Sequence, residues 1–503
     1  MKIRLLLHIG LILGAFVWSA CGERSNTSTT AAPTSPNIIW LMAEDIGQDL
    51  ACYGMAGVQT PNLDQMATDG IRYTQCYSTN PICSPNRSAM MLGVHQNISN
   101  TQHHRSYRKD ALMEPFLPIT HYLREAGYQC LLGSSLVRGK GAKTDVNFER
   151  GKWGAEGLFD TLMDLSKVQQ PFFAQIQLNV THRGDWWKEI SAQSDDPVDP
   201  AEVVLPPYFA DHPVIREDWA RYLDQMEYMD REVGDIMKAL QDNGLADNTI
   251  VIFIGDNGRC NIRGKGYLYQ PGIQIPLIVW GASVDSGIVS DRLVDVTDIS
   301  ASILDLAGAK RPDHLSGIPF IGRDDLAAKD YIYAARDIWD EVEERSRSIT
   351  DGRYKYIKNY LPEKPYEVGQ AYLEFYRPAV HIMRKLHAAG ELNPVQAHFF
   401  ADSKEPEELY DLEQDPHETK NLAADPAYQT QLEQMRNHLT DWQSKHHDYG
   451  LDPIDWEAIE EPISVPMLTW LRETHPEVIA DMQAGIEPGF SKWVKTFREA
   501  EKK

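Results

Sequence analysis

Asn37-Ile38-Ile39-Trp40-Leu41-Met42-Ala43-Glu44-Asp45 decides the fold: an unbroken apolar run that closes on two carboxylates. Apolar residues without polar alternation read as a strand buried on both faces. Thr249-Ile250-Val251-Ile252-Phe253-Ile254 repeats the pattern and delivers Gly255-Asp256-Asn257-Gly258. Open α/β sheets place ligands at the C-terminal ends of such strands. Between these runs lie a helix over Ile119 to Ala126 stopped by Gly127, and a strand over Pro171 to Leu178 that leads into Asn179-Val180-Thr181-His182. A long amphipathic helix over Arg216 to Asp242 follows, closed by Asn243-Gly244, and Leu277-Ile278-Val279-Trp280 is one more core strand. Strands alternating with helices predict an α/β fold, a mostly parallel sheet covered by helices on both faces.

The pattern changes near residue 325. Tyr331 to Ala335, Arg347 to Thr350 and Tyr354 to Ile357 read as short strands around an Asp351-Gly352 turn, with Glu408 to Leu412 as a fourth. We expect a main domain over 36–325, a smaller C-terminal α+β domain over 326–424 carrying an antiparallel sheet, and a helical extension over 425–503.

The N-terminus reads as a targeting segment. Lys2 and Arg4 precede an apolar run, Leu5 to Trp18, too short for a stable span. Ser19-Ala20-Cys21-Gly22 looks like a bacterial lipoprotein cleavage box, with Trp18 where leucine is usual. This predicts a signal over 1–21, lipidation of Cys21, and a flexible Ser/Thr/Pro-rich tether over 22–35. The expected location is the bacterial cell envelope, periplasmic or outer-membrane, with membrane attachment by the lipid anchor only; a plain secretory signal is the alternative. Lys plus Arg is 49 against 73 Asp plus Glu, a net charge of −24 over 503 residues, which argues against nucleic acid as a partner. The spacing of Cys52, Cys76, Cys130 and Cys260 fixes no disulfide pairing.

Cys83-Ser84-Pro85-Asn86-Arg87 carries the chemistry, with proline at +2 and arginine at +4 from the cysteine. It follows Thr60-Pro61-Asn62-Leu63-Asp64, a helical segment ended by Gly70 and the short strand Ile71-Arg72-Tyr73-Thr74; a helix is expected from Ser88 to Leu92. With the late segment Glu408 to Leu412, Asp415-Pro416 and Asn421-Leu422-Ala423, this run resembles the type I, formylglycine-dependent sulfatases, in their polysaccharide-sulfatase and N-sulfoglucosamine-sulfohydrolase-like branch. The resemblance covers about 36–425. It implies an alkaline-phosphatase-like fold and conversion of Cys83 to formylglycine by a formylglycine-generating or anaerobic sulfatase-maturing enzyme. One hydroxyl of the hydrated aldehyde attacks sulfur and the other expels sulfate. Asn86 stands where the family usually has a small serine.

Glu44, Asp45, Asp256 and Asn257 form an oxygen-ligand set suited to one hard divalent cation, most often Ca²⁺, with modified Cys83 joining it. The family usually has two aspartates at the first pair, so Glu44 is a longer substitute. The resemblance further implies that Arg87 holds the reacting oxygens, that Lys265, in Arg263-Gly264-Lys265-Gly266, binds sulfate, and that His182 protonates the leaving sugar oxygen. A second sulfate-binding lysine is Lys143, in a Lys-Thr-Asp-x-Asn-Phe run, or its rival Lys140. His103 and His104 are candidate substrate contacts or solvated loop residues; Arg336 and Asp337 read the sugar ring or form a structural ion pair. Arg336, Arg345, Arg347 and Lys355 are expected to rim the cleft and hold further anionic groups, and Trp186, Trp187 and Trp339 to stack on sugars or pack internally. The implied reaction is hydrolysis of sulfate esters on a sulfated oligo- or polysaccharide, with algal sources such as ulvan ahead of glycosaminoglycans. A phosphatase or phosphonate hydrolase of the same fold, and a non-catalytic glycan-binding lipoprotein, are the alternatives.

Overall fold

In a computed structural model, which describes residues 35–134, 142–151 and 157–502, the strand Asn37–Ala43 is buried along its whole length. It pairs in parallel with Phe172–Leu178 on one side and Thr249–Gly255 on the other. The apolar run splits between two cores. Ile39, Leu41 and Ala43 join one cluster, and Ile38, Trp40 and Met42 join another on the opposite face. This is why the sequence shows no alternation: helices cover both faces.

Among the described residues the sheet has eight strands in the order Thr161–Leu162, Gln129–Ser134, Phe172–Leu178, Asn37–Ala43, Thr249–Gly255, Leu277–Gly281, Ile71–Tyr73, Ile288–Ser290. Only Leu277–Gly281 runs antiparallel to its neighbours. The register pairs Ala43 with both Leu178 and Gly255. Glu44, Asn179 and Asp256 therefore leave the sheet side by side, and the site is a consequence of the pairing.

The long helix spans Pro213–Asp242 and covers one face through Trp219, Met226, Val233 and Leu240. It starts three residues before the expected Arg216, because His212 accepts the Val214 N–H and Pro213 occupies the first helical position. On the other face lie the helices Cys83–Leu92 and Val296–Leu306. The former begins at Cys83 itself, not at the expected Ser88. Asp295 caps the latter with a reciprocal capping box to Asp298.

The C-terminal strands Ile332–Arg336, Ser346–Thr350, Tyr354–Asn359 and Glu407–Asp411 form the expected antiparallel sheet. Residues 425–502 are mostly helical and packed. Gln429–Lys445 lays Leu432, Met435 and Leu439 on Ile349, Tyr356 and Leu409. The helices Ser464–Thr474, Pro476–Gln483 and Phe490–Ala500 close on Phe375 and Tyr376. Among the described residues no helix is long and apolar enough to cross a membrane, and Cys52, Cys76, Cys83, Cys130 and Cys260 are free thiols.

Arg347, expected at the cleft rim, is instead 1 % exposed. It donates to Asp337 Oδ1 at 3.0 Å and to both oxygens of Asp448 at 2.7 and 2.8 Å. Asn97 donates to the same two carboxylates at 2.9 and 2.8 Å. One guanidinium thus ties the C-terminal sheet, the helical extension and the loop after the Cys83 helix. Replacing it with Met strands two buried carboxylates. We expect Arg347→Met to lose about 3–5 kcal/mol, read as a lower urea midpoint of the first unfolding transition. A midpoint within error of wild type contradicts this network.

Candidate active site

The helix Cys83–Leu92 starts at Ile82 without a side-chain cap, so its first-turn N–H groups and the positive end of its dipole face the strand ends. Cys83 Sγ lies 2.8 Å from Lys265 Nζ and 3.8 Å from Asp45 Oδ1. Arg87, one turn on, donates through Nε to Asp256 Oδ2 and through Nη2 to Glu44 Oε1, each at 2.9 Å. Lys143 reaches the other Glu44 oxygen at 2.8 Å, and Lys265 reaches Asp45 Oδ1 at 2.6 Å. Three carboxylates from two adjacent strand ends are thereby interleaved with three cations from three other segments.

The glycines beside Lys265 are required by space. A Cβ at Gly264 would sit 2.0 Å from the Arg259 carbonyl oxygen, and one at Gly266 would sit 2.1 Å from the Trp339 ring, at φ +89°. Asp45 has φ 51°, a left-handed conformation uncommon outside glycine. Its N–H donates to Asp256 Oδ1 at 2.9 Å, which holds that turn.

The electrostatics follow from burial. Desolvation alone would raise the Glu44 carboxyl, but Lys143 and Arg87 outweigh it and hold it below the usual range. Asp45 is likewise lowered, with Lys265 overcoming desolvation. Asp256 goes the other way, up to about 6, through burial and the neighbouring Glu44 charge. Burial, more than its charged neighbours, raises the Cys83 thiol, despite Lys265 and Lys143. His182 is lowered to about 4 by burial, chiefly. Its Nδ1 sits 3.0 Å from the Arg183 carbonyl, which can only accept, so that nitrogen carries a proton.

One ligand atom each from Glu44, Asp45, Cys83 and Asp256 lies within 4.8 Å of the others. Asp45 Oδ2 and Asn257 Oδ1 are buried there without hydrogen-bond partners. Uncommitted buried oxygens among carboxylates are what a hard divalent cation needs, so the residues fit such an ion.

Helix and loops are locked together by residues the sequence reading passed over. Ser84 Oγ accepts the Arg105 N–H at 3.0 Å, and Ser88 Oγ accepts the Asn147 N–H at 2.9 Å. Asn147 Nδ2 donates to the carbonyls of Thr101 and His103, each at 2.7 Å. Asp145 pairs with Lys143, Arg105 and Arg108. The Lys-Thr-Asp-x-Asn-Phe run that selected Lys143 already held Asp145 and Asn147; nothing in the sequence marked Arg105 or Arg108.

This arrangement can bind a tetrahedral oxyanion at the helix start and neutralise it from several sides. The sulfatase family model matches residues 36–309, and a second model, N-sulphoglucosamine sulphohydrolase, C-terminal, matches residues 368–445. The chain belongs to the sulfatase family. It is a sulfuric ester hydrolase. It is 30% identical over 456 residues to an ulvan-active sulfatase of Formosa agariphila, covering 82% of this chain and 75% of the relative. It is 26% identical over 498 residues to human N-sulphoglucosamine sulphohydrolase, covering 85% and 93%. A solved 2-O GAG sulfatase superposes with TM-score 0.60 at 19% identity, covering 84% of this chain and 95% of that one. The second family match runs to residue 445, beyond the 425 expected from the sequence.

The other expected sites of this sulfatase fall as follows. His104 Nδ1 is 2.7 Å from Asp340 Oδ1, and His103 Nε2 is 3.3 Å from the Gln102 amide; both rings are buried, so neither belongs to a solvated loop. Arg336 and Asp337 do not face the cleft and do not pair with each other. Arg336 lies over the Tyr267 ring at 4.5 Å, and Asp337 is fully buried against Arg347 and Asn97. Arg336 ends the strand Ile332–Arg336 and Asp337 lies just past it, and both are buried by the groups packed there. Lys355 is fully buried against Glu418, and Arg345 donates to the carbonyls of Leu451 and Asp452. Trp187 and Trp339 are core residues, whereas Trp186 lines the cleft. Lys140 and Cys21 lie outside the described residues.

Asn86 has a structural reason to differ from serine. It is fully buried; its Oδ1 accepts from Thr79 N at 2.9 Å and Thr79 Oγ1 at 3.1 Å, and its Nδ2 donates to the Asp256 carbonyl at 2.6 Å. Asn86→Ala leaves those partners unsatisfied, at about 1–3 kcal/mol for each buried group. We expect a loss of about 2–4 kcal/mol in chemical denaturation, less for Asn86→Ser; an unchanged midpoint in the alanine variant contradicts the assignment.

Proposed function

We propose that this enzyme hydrolyses sulfate esters of a sulfated carbohydrate, with Cys83, matured to formylglycine, as its nucleophile. The approach of Lys265 Nζ to Cys83 Sγ, at an uncapped helix start beside Arg87 and Lys143, is the observation that carries this reading. When present, formylglycine supplies a hydrated aldehyde that attacks sulfur through one hydroxyl and releases sulfate through the other. A divalent ion held by Glu44, Asp45, Asp256 and Asn257, with Ca²⁺ the fit for an all-oxygen set, supplies positive charge against the sulfate oxygens.

The chain's own groups do the rest. The first-turn N–H groups orient the sulfate. Lys143, Lys265 and Arg87 neutralise charge as it builds on the equatorial oxygens, in a site from which water is largely excluded. His182 gives the proton at Nε2 to the departing sugar oxygen, while Nδ1, bonded to the Arg183 carbonyl, fixes the ring. The incoming sulfate's negative charge raises the His182 pKa and favours the charged ring this step requires.

The substrate source we favour is an algal polysaccharide such as ulvan, supported by the resemblance to ulvan-active sulfatases at 30% and 27% identity. We further propose maturation by a formylglycine-generating or anaerobic sulfatase-maturing enzyme, and export to the cell envelope through a lipid on Cys21. The test is wild type and Cys83→Ala, each co-expressed with a maturing enzyme and assayed on sulfate, phosphate and phosphonate esters. We expect sulfate release by wild type, a peptide mass over Cys83 showing thiol replaced by aldehyde, and loss of at least ~10³-fold in Cys83→Ala. Retained activity in Cys83→Ala, or turnover of phosphorus esters alone, overturns the reading.

A further inference from the structure

The cleft above the reaction centre has a volume of about 510 Å³. Among the described residues, Arg105, Arg108, Lys143 and Arg150 line it against two carboxylates, Glu44 and Asp145. A positive cleft in a chain of net charge −24 is a local construction, not an overflow of surface charge. Lys143 and Glu44 belong to the reaction centre. Asp145 stands next to them, with Oδ2 3.3 Å from Lys143 Nζ, and it is the carboxylate that Arg105 and Arg108 share; Arg108 Nη1 also reaches the half-exposed Glu460 Oε2 at 3.5 Å.

The two arginines are set in place at some cost. Arg105 and Tyr107 both have φ 53°, in the left-handed region. The segment around Ile459, from the C-terminal extension, holds this loop: Tyr107 N–H donates to the Ala458 carbonyl at 3.2 Å and Glu460 N–H to the Arg105 carbonyl at 3.4 Å. Ser84, in the nucleophile motif, holds it from below through the Arg105 N–H. Arg105 Nε and Arg108 Nε are both buried and without hydrogen-bond partners. Arg105 Nε stands 3.7 Å from Asp145 Oδ1, beyond a hydrogen bond. Asp145 is thus shared by two guanidiniums, with the exposed Glu460 touching Arg108 from the outside, and donors remain over.

We infer that Arg105 and Arg108 form a second oxyanion subsite, holding a carboxylate or further sulfate carried by the same saccharide as the scissile sulfate. This rests on the proposed carbohydrate-sulfatase reading and adds to it the substrate's charge pattern. The planar, permanently charged guanidinium suits bidentate binding of either group. The subsite lies one carboxylate away from the reaction centre, across Asp145 from Glu44. It takes the place of the anion-binding role that the sequence suggested for Arg336, Arg347 and Lys355, which the fold buries.

The test measures equilibrium binding by calorimetry, so it does not depend on turnover. The probe is a defined sulfated disaccharide bearing a uronate and a second sulfate, against wild type, Arg105→Gln, Arg108→Gln and the double variant. Two further probes lack either the carboxylate or the second sulfate. We expect the double variant to bind the full disaccharide at least ~tenfold more weakly, as loss of one charge-assisted contact requires, with a smaller salt dependence. Arg105→Lys with Arg108→Lys should recover part of the loss, which separates lost charge from lost folding. The substitutions should lose their effect on whichever probe lacks the group the arginines hold. Equal binding by wild type and the double variant, or an equal loss on all three probes, overturns the subsite. Binding as expected without sulfate release overturns the sulfatase mechanism and leaves the subsite standing.

Discussion

The structure depends on how three buried carboxylates are satisfied. Glu44, Asp45 and Asp256 emerge from adjacent parallel strands with almost no solvent contact. Unpaired, each would carry a desolvation cost of several kcal/mol. Arg87, Lys143 and Lys265 meet them, and each cation comes from a different segment. The helix start at Cys83, the docking of the 142–150 loop on Ser88 and the tight glycine turns around Lys265 are all ways of bringing a cation to those oxygens. The orphaned Asp45 Oδ2 and Asn257 Oδ1 leave room in the same lattice for a cation the protein does not itself provide.

A site built this way is rigid at its base and adjustable at its rim. The base is fixed by sheet register, since a one-residue slip would separate Glu44 from Asp256. The rim is made of loops held by few groups: Ser84, Asn147, Asp145 and a strand-like contact from the C-terminal extension. Substrate preference in such an architecture belongs to the rim. The C-terminal residues reach it directly around Ile459 and indirectly through Asp448, Arg347 and Asn97.

The sequence made the base legible because its signals are local. Asn37 to Met42 and Thr249 to Ile254 are uninterrupted apolar runs, each closing on its own ligands, and Cys83, Pro85 and Arg87 are one helical turn. The antiparallel sheet was legible for the same reason, from short alternating strands around Asp351-Gly352. Direction and distance were not. Arg347 and Lys355 lie on expected strands, and Arg336 and Asp337 just past one, but which way they point depends on what packs there; for Lys355 and Arg347 the partners are residues 418 and 448, distant in the chain. Arg105 and Arg108 gave no signal because their placement rests on backbone bonds to the segment around Ile459, over three hundred residues away. The early starts of the Cys83 and Pro213 helices were missed because each opens at a residue read as belonging to a loop.

The central claim is that the Cys83 centre attacks sulfur and cleaves the sulfur–oxygen bond. Hydrolysis of a sulfated oligosaccharide by the matured enzyme in heavy-oxygen water tests this most directly. The account predicts solvent oxygen in the released sulfate and none in the freed sugar hydroxyl; solvent oxygen in the sugar hydroxyl would contradict it.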